Sequence, residues 1–242
     1  MSHGQPDFGA YAAKVTVGSL ADMAELAARL GSVVTLDRRG DVIFFDDFEA
    51  PILNWTGAGD GVADEERLYP DKAFMGSQSA YLQTSGDIED SAYIVRRFHA
   101  TPNQRYGIEA RLFQIMADSY FDIALYIYTG SKIHKAEWRY DGEGSKLFIW
   151  DSTGNWKEIA TGIKTLPIRN EWLPMKLVID SLNWKYVRGL FLGYEYDLSG
   201  EATEEDNSEI PPCIELSLAV TNITGVTGRA LFDNVIFTQN EP

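Results

Sequence analysis

The most regular feature of the chain after residue 41 is an alternation of apolar and polar positions. Five segments show it clearly, at 106–112, 121–127, 136–140, 175–179 and 214–220. A period of two places successive side chains on opposite faces of a β-strand, and the Gly, Asp and Asn residues between segments predict turns. Since this part contains no convincing helical pattern, we predict antiparallel strands in a two-sheet sandwich, each sheet with one face on the core and one in water.

The first 41 residues follow a different pattern. A helical spacing between Ser19 and Gly31 predicts a short amphipathic helix. Residues 32–36 and 42–45, on either side of a glycine turn, predict a hairpin. A helix of three turns is too short to fold alone, so we expect it to dock on the sandwich or on another chain. We therefore divide the chain into an N-terminal helix-plus-hairpin arm, 1–41, and a sandwich, 42–242. The apolar residues of the helix that would anchor the arm are Leu20, Met23, Leu26 and Leu30.

Composition narrows the possible partners. The 242 residues include 21 Lys and Arg against 36 Asp and Glu, a formal charge of −15, which argues against a nucleic-acid surface. The acidic segments 59–66, 85–90 and 197–209 are typical of solvated loops, although one of them could also hold a cation. A single cysteine, Cys213, excludes an intrachain disulfide, and no apolar run is long enough to cross a membrane.

Paired carboxylates are the one catalytic arrangement that the pattern offers. Glycoside hydrolysis needs two of them on one face, and the candidates are Glu137 with Asp141 and Glu195 with Asp197. Solvated charge on the outer face of a sheet explains the same residues. Since we find neither a nucleotide-binding loop nor a nucleophile with a triad-like neighbourhood, we predict that the chain is not an enzyme.

Aromatic residues are concentrated in the strands between 126 and 156. Rings on an open sheet face can stack on the apolar C–H surface of sugars, and the alternative is ordinary packing or a subunit interface. The candidates for glycan stacking are Tyr126, Tyr128, Trp138, Tyr140, Trp150 and Trp156.

Three segments, 45–49 with Trp55, 76–82 and 231–237, resemble the opening, second and closing strands of concanavalin A-like and carbohydrate-binding-module jelly rolls. The resemblance implies an all-β, two-sheet antiparallel jelly-roll sandwich in which the first and last strands are neighbours. It also implies a structural calcium held by Asp47, Glu49, a Ser77 or Ser79 oxygen, and Asp233. Hydrogen bonds to nearby backbone would serve these side chains equally well.

The string 26–42, joined to a jelly roll that ends in residues 238–242, is similar to virion-associated proteins of tailed bacteriophages. That similarity implies a structural virion protein, a capsid decoration or minor component, assembled in the bacterial cytoplasm. Its partners would be further copies of itself, as a homo-oligomer, and other virion proteins such as the major capsid protein. The alternatives are a glycan- or receptor-binding module, with or without calcium, and a glycoside hydrolase.

Overall fold

The computed structural model describes residues 36–242 apart from 38, 60–63, 100–103, 117 and 166–170. Residues Arg39–Pro242 form one compact unit. The predicted helix, with Leu20, Met23, Leu26 and Leu30, lies outside the described residues.

The described residues form sixteen strands and no helix. Their bounds are β1 Asp41–Asp46, β2 Thr56–Gly59, β3 Glu65–Tyr69, β4 Ser79–Gln83, β5 Ser91–His99, β6 Arg105–Gln114, β7 Ser119–Tyr128, β8 Lys132–Asp141, β9 Lys146–Trp150, β10 Trp156–Thr161, β11 Trp172–Asp180, β12 Lys185–Phe191, β13 Tyr194–Asp197, β14 Glu204–Asn207, β15 Cys213–Asn222 and β16 Arg229–Gln239. Within the described chain, no helix is long and apolar enough to cross a membrane.

The strands belong to two eight-stranded sheets, and within each sheet all neighbouring strands pair in antiparallel fashion. Sheet A has the order β13-β12-β11-β6-β16-β4-β3, and β1 also pairs with β16. Sheet B has the order β10-β9-β8-β7-β15-β5-β2, and β14 also pairs with β8. The predicted two-sheet antiparallel sandwich is confirmed.

The core lies between the two sheets and follows the alternation read from the sequence. Leu112 of β6 and Phe121 of β7 are fully buried members of it, together with the even-numbered apolar positions of β6 and the odd-numbered ones of β7. Burying a side chain of this size stabilises the fold by about 1.5–3 kcal/mol. Trp138 and Tyr140 are among the largest buried side chains of the described residues.

The N-terminal hairpin is not supported. Its second strand is real, since β1 covers Asp41–Asp46, but the partner that the structure gives β1 is β16, with Phe45 opposite Ile236. The first hairpin strand lies among residues that the structure does not describe. The pairing of β1 with β16 confirms instead that the first and last strands of the jelly roll are neighbours.

The outer face of sheet A carries a buried group of charges that we call the C-terminal ion cluster: Lys176, Arg188 and Glu241. The Glu241 side chain has no exposed surface, its Oε1 lies 2.7 Å from Lys176 Nζ, and Arg188 Nη2 donates to its Oε2. Thr238 Oγ1 donates to Glu241 Oε1 at 2.6 Å, and Arg188 Nη1 donates to the Pro242 carbonyl at 2.7 Å. Each oxygen of the buried carboxylate therefore has a cation beside it.

Candidate functional site

The outer face of sheet B carries a group of interacting polar side chains that is not part of a turn. In β7 the core positions are odd-numbered, so Asp122 and Tyr126 point outward. In β8 the core positions are even-numbered, so Glu137 and Arg139 point outward as well. We call Asp122, Tyr126, Glu137 and Arg139 the β7–β8 cluster.

Strand register sets the distances in the β7–β8 cluster. Asp122 is opposite Arg139, and Ala124 is opposite Glu137. Asp122 and Glu137 are therefore diagonal neighbours, with Cα atoms roughly 7–8 Å apart. A carboxyl group from each of two adjacent strands faces the same surface.

The row of outward side chains that begins with Glu137 crosses the strands, and we call this row the trough. Ala124 is opposite Ser217 of β15, so small side chains continue the row that begins with Glu137. The neighbouring row on one side contains Tyr126 and the Glu215 opposite it. On this side, larger side chains thus lie next to the row of small ones.

Hydrogen bonds fix the cluster. The Tyr126 hydroxyl donates to Glu137 Oε1 at 3.0 Å. The Arg139 guanidinium holds both oxygens of Asp122, with Nε to Oδ1 at 2.7 Å and Nη2 to Oδ2 at 2.8 Å. The same guanidinium lies 3.6 Å from the ring centroid of Trp156 and 4.5 Å from that of Tyr120. Arg139 is therefore committed to Asp122 and to two rings, and it leaves Glu137 without a paired cation in the cluster.

The surroundings of Glu137 change its acidity. Burial raises the pKa of the Glu137 carboxyl to about 7, and the negative charge of Asp122 adds to the effect. Burial, followed by the charge of Glu137, also holds the pKa of the Tyr126 hydroxyl well above its usual value. Near neutral pH, Tyr126 is a neutral hydrogen-bond donor, and Glu137 exchanges between acid and carboxylate.

A second acidic group lies farther along the same face. Arg97 Nε donates to Glu215 Oε2 at 2.5 Å, and the Tyr128 hydroxyl donates to Glu215 Oε1 at 3.4 Å. Burial, with the charge of Glu215 next, raises the pKa of Tyr128 to about 12. Together with the β7–β8 cluster, this group makes the trough a surface of carboxylates, phenols and guanidinium groups.

The six predicted stacking residues separate into three kinds. Tyr126 and Tyr128 lie on the outer face of sheet B. Trp150 donates its Nε1 to Glu204 Oε2 at 2.6 Å, and Trp156 packs edge-on against it. Trp138 and Tyr140 have no exposed surface and belong to the core, so their prediction as stacking residues is wrong. They share the even-numbered face of β8 with Ala136, opposite to Glu137.

Neither predicted carboxylate pair forms a site. Asp141 Oδ1 accepts from the backbone N–H groups of Glu143 and Gly144, at 3.0 and 2.8 Å, and so closes a turn. Glu195 pairs with Arg39, and Asp197 accepts from the backbone of Ser199. The partner of Glu137 is Asp122. In the sequence, Asp122 is a polar residue between two core residues of a strand, and this pattern could have marked it as a candidate. Only the pairing of β7 with β8 shows that Asp122 lies beside Glu137.

The predicted calcium ligands lie around two turns near a bulge of β16. Asp233 has no exposed surface, and its Oδ2 accepts from the N–H groups of Phe74 and Met75 at 2.6 and 3.3 Å. Burial raises the pKa of Asp233 to about 7. Glu49 accepts from Ser77 N and Oγ and from Gln78 N at 2.6–2.8 Å, which lowers its pKa.

The other two candidates have partners of their own. Asp47 Oδ1 accepts from Glu49 N at 3.2 Å, and Ser79 Oγ donates to the Lys72 carbonyl at 2.7 Å. No group of three or more His, Cys, Asp or Glu side chains in the described residues is placed to share a metal ion. The four side chains thus fit a corner held by hydrogen bonds, which was the stated alternative, and calcium stays a prediction.

Comparisons with known proteins identify the fold. No family profile matches the chain, and no curated protein sequence matches it. An endo-β-1,4-glucuronan lyase from the fungus Trichoderma reesei is similar in structure, with a TM-score of 0.56 at 12% identity over 82% of this chain and 95% of the lyase. A galectin-like protein of unknown function from Bacillus subtilis has a TM-score of 0.54 at 10% identity over 85% of this chain and 99% of its own. The cellulose induced protein Cip1 has a TM-score of 0.52 at 14% identity over 81% and 96%.

These similarities support the jelly-roll sandwich of the concanavalin A-like and galectin-like type, and nothing in them concerns virions. They also correct one prediction. We inferred from the missing catalytic signatures that the chain is not an enzyme, yet a lyase has the same fold over most of its length. The inference is therefore wrong, because a protein with a similar fold is an enzyme.

Proposed function

We propose that the chain is a carbohydrate-active protein that binds a glycan in the trough on the outer face of sheet B and hydrolyses a glycosidic bond there. The observation that carries the proposal is Glu137, an outward-facing carboxyl whose pKa is raised to about 7, diagonal to the carboxylate of Asp122. A carboxyl group that is still partly protonated near neutral pH is suited to act as a general acid.

The chemistry follows from the two carboxyl groups. The Glu137 acid gives its proton to the glycosidic oxygen as the bond from that oxygen to the anomeric carbon breaks. The Asp122 carboxylate stabilises the positive charge that develops on the sugar. Water then adds to the anomeric carbon, and the proton that it loses restores the Glu137 acid. Tyr126, which donates to Glu137 Oε1, orients the carboxyl group.

The surroundings of the trough suit a sugar chain. Ser217, Tyr126 and Glu215 offer hydroxyl and carboxylate groups, which sugar hydroxyls can meet with hydrogen bonds. Tyr126 is half-buried, so part of its ring is available to the apolar face of a sugar. The small Ala124 beside Glu137 leaves room for a ring above the floor.

One observation favours a second candidate, glycan binding without cleavage. Arg139 occupies both oxygens of Asp122 in a bidentate pair, and this weakens the carboxylate as a nucleophile or base. A trough of this kind would hold a sugar chain while leaving it intact.

The test is incubation with a panel of neutral and uronic-acid polysaccharides, with binding and the release of reducing ends both measured. The site variant is Glu137→Gln, and the matched control is Glu195→Gln, an exposed carboxyl on sheet A. We expect one polysaccharide to be cleaved by the wild type and the control and to be bound but not cleaved by Glu137→Gln. Ser217→Leu, which fills the trough away from Glu137, should abolish binding.

The possible results separate the candidates. Binding without cleavage by the wild type, lost in Ser217→Leu, would establish the second candidate. Release of an unsaturated, ultraviolet-absorbing product would replace hydrolysis by elimination and overturn the role of Asp122. No binding of any polysaccharide would overturn both candidates.

Display of the sandwich on a virion, as a homo-oligomer or with a capsid partner, stays a prediction. Its motivation is the N-terminal segment with Leu20, Met23, Leu26 and Leu30, outside the described residues. Assembly in a bacterial cytoplasm also stays a prediction.

A further inference from the structure

A cavity of about 400 Å³ lies at one side of the sandwich, where the edge strand of each sheet ends. Its walls come from the end of β10 and the residues after it, and from the hairpin of β12 and β13. Since β10 and β13 are terminal strands of sheets B and A, the cavity opens between the sheet edges. Its residues are separate from the trough beside Glu137.

The walls of the cavity are fixed by backbone geometry. Leu192 and Gly193 both have positive φ, 51° and 83°, as a two-residue hairpin turn requires. Leucine seldom adopts this conformation, and here it keeps the Leu192 side chain in the cavity wall. On the opposite side, the Ile163 N–H donates to the Ser145 carbonyl at 3.0 Å. The hairpin turn and this hydrogen bond thus fix the backbone on two sides of the cavity.

The chemistry of the lining is specific. Phe191 is fully buried, and Tyr196 packs against Trp138 with ring centroids 5.9 Å apart, so the inner part is apolar. Tyr194, at the rim, is 70% exposed and presents a ring to solvent. Among the described residues of the lining, Lys164 is the one that carries a charge, and no described residue forms an ion pair with it.

The charge of Lys164 contrasts with the rest of the chain. The formal charge of the protein is −15, but none of the described residues that line the cavity is acidic. An anion that most of the surface would repel meets a single ammonium group here. Sugars with a carboxylate combine that anion with a ring whose C–H face can stack on a phenol.

We infer that this cavity binds a uronic acid residue, with the sugar ring against Tyr194 and the carboxylate on Lys164. A volume of this size lies within the range of small-molecule sites and accommodates a single sugar ring with water. The inference deepens the proposed function by adding a second carbohydrate site, but binding in the cavity does not require Glu137.

In the experiment, the full chain is titrated with glucuronate and, separately, with glucose, and binding is measured by NMR. We expect glucuronate to bind more tightly than glucose at low salt, and the preference to fall as salt rises. Lys164→Gln should reduce the affinity for glucuronate by up to about five-fold, the size that an exposed ion pair supports. Tyr194→Ala should reduce the affinity for both sugars, and since Tyr194 is largely exposed, the variant should still fold.

The matched control is Lys185→Gln, an exposed lysine of β12 outside the cavity, which should leave the affinity unchanged. Glu137→Gln should also bind glucuronate as the wild type does, so that failure of the proposed hydrolysis and failure of this site are separate results. The inference would be overturned if the two sugars bound with equal affinity or if the two lysine variants had equal effects. It would also be overturned if Arg97→Gln lost the binding of glucuronate while Lys164→Gln kept it. The absence of binding by both sugars would overturn it as well.

Discussion

The outer faces of the two sheets both carry buried charged side chains, but they differ in how many cations lie beside each carboxylate. On sheet A, Glu241 lies between Lys176 and Arg188, so two cations surround one carboxylate. On sheet B, Asp122 takes the whole fork of Arg139, and Glu137 receives only a phenol. The matched carboxylate is a structural element of the fold. The unmatched one keeps a proton near neutral pH and becomes a candidate for chemistry.

The largest loss of stability is expected when the carboxylate that pairs with two cations on sheet A is removed. Glu241→Gln leaves Lys176 and Arg188 buried without their shared carboxylate, and removal of one partner of a buried ion pair costs about 3–5 kcal/mol. Urea denaturation should show the loss as a lower free energy of unfolding. Glu195→Gln, which removes the exposed partner of Arg39, should cost about 0–1 kcal/mol. Equal losses in the two variants would contradict the comparison.

The next effect is a pH dependence that originates on sheet B. The pKa of Glu137 is about 7 in the folded protein and about 4.5 in the unfolded chain, so the folded state binds the proton more tightly. This contribution to stability is fully present below pH 4.5 and is lost as pH rises towards 7. The loss is on the order of 2 kcal/mol. Denaturation of Glu137→Gln at several pH values should show a flatter profile than the wild type; an unchanged profile would refute the raised pKa.

Asp233 provides a second test of the comparison between the sheets. It is a carboxyl group of sheet A, but its hydrogen-bond donors are neutral N–H groups instead of cations. It accepts N–H groups of Phe74 and Met75, and burial raises its pKa to about 7. Its contribution to stability therefore has the same sign as that of Glu137; it is fully present below pH 3.8, the ordinary pKa of an Asp, and is lost as pH rises towards 7. Asp233→Asn should remove that part of the pH dependence, by on the order of 1–2 kcal/mol, and Asp197→Asn, at an exposed turn, should leave it unchanged. Identical profiles for both variants would contradict this account.

The smallest effect concerns the fork of Arg139. Arg139→Lys keeps the charge beside Asp122 but loses the bidentate geometry and the contact with the Trp156 ring. We expect a loss of about 1 kcal/mol in denaturation, with Glu137 still titrating near neutral pH by NMR. A loss as large as that of Glu241→Gln would mean that sheet B depends on its ion pair as strongly as sheet A does.

Much of the fold could be predicted from local pattern, because the alternation of β6, β7 and β15 is set by which face meets the core. The site could not. Glu137 was among the candidates, but its true partner Asp122 precedes it by fifteen positions and meets it only through the register of β7 with β8. Trp138 and Tyr140 were assigned to stacking by their residue type, although their even-numbered positions on β8 already placed them with the core residue Ala136.

The position of β16 inside sheet A has a kinetic consequence. This strand is the last strand of the sandwich, and it pairs with β6 on one side and with β4 and β1 on the other, all of which come from the first half of the chain. Until the ribosome has made β16, the strands that it will join expose unpaired edges, and sheet A exists as three separate pieces: β13-β12-β11-β6, β4-β3 and β1 alone. Such distant pairing makes folding slow, and the growing polypeptide in that interval is a natural client for chaperones that cover strand edges.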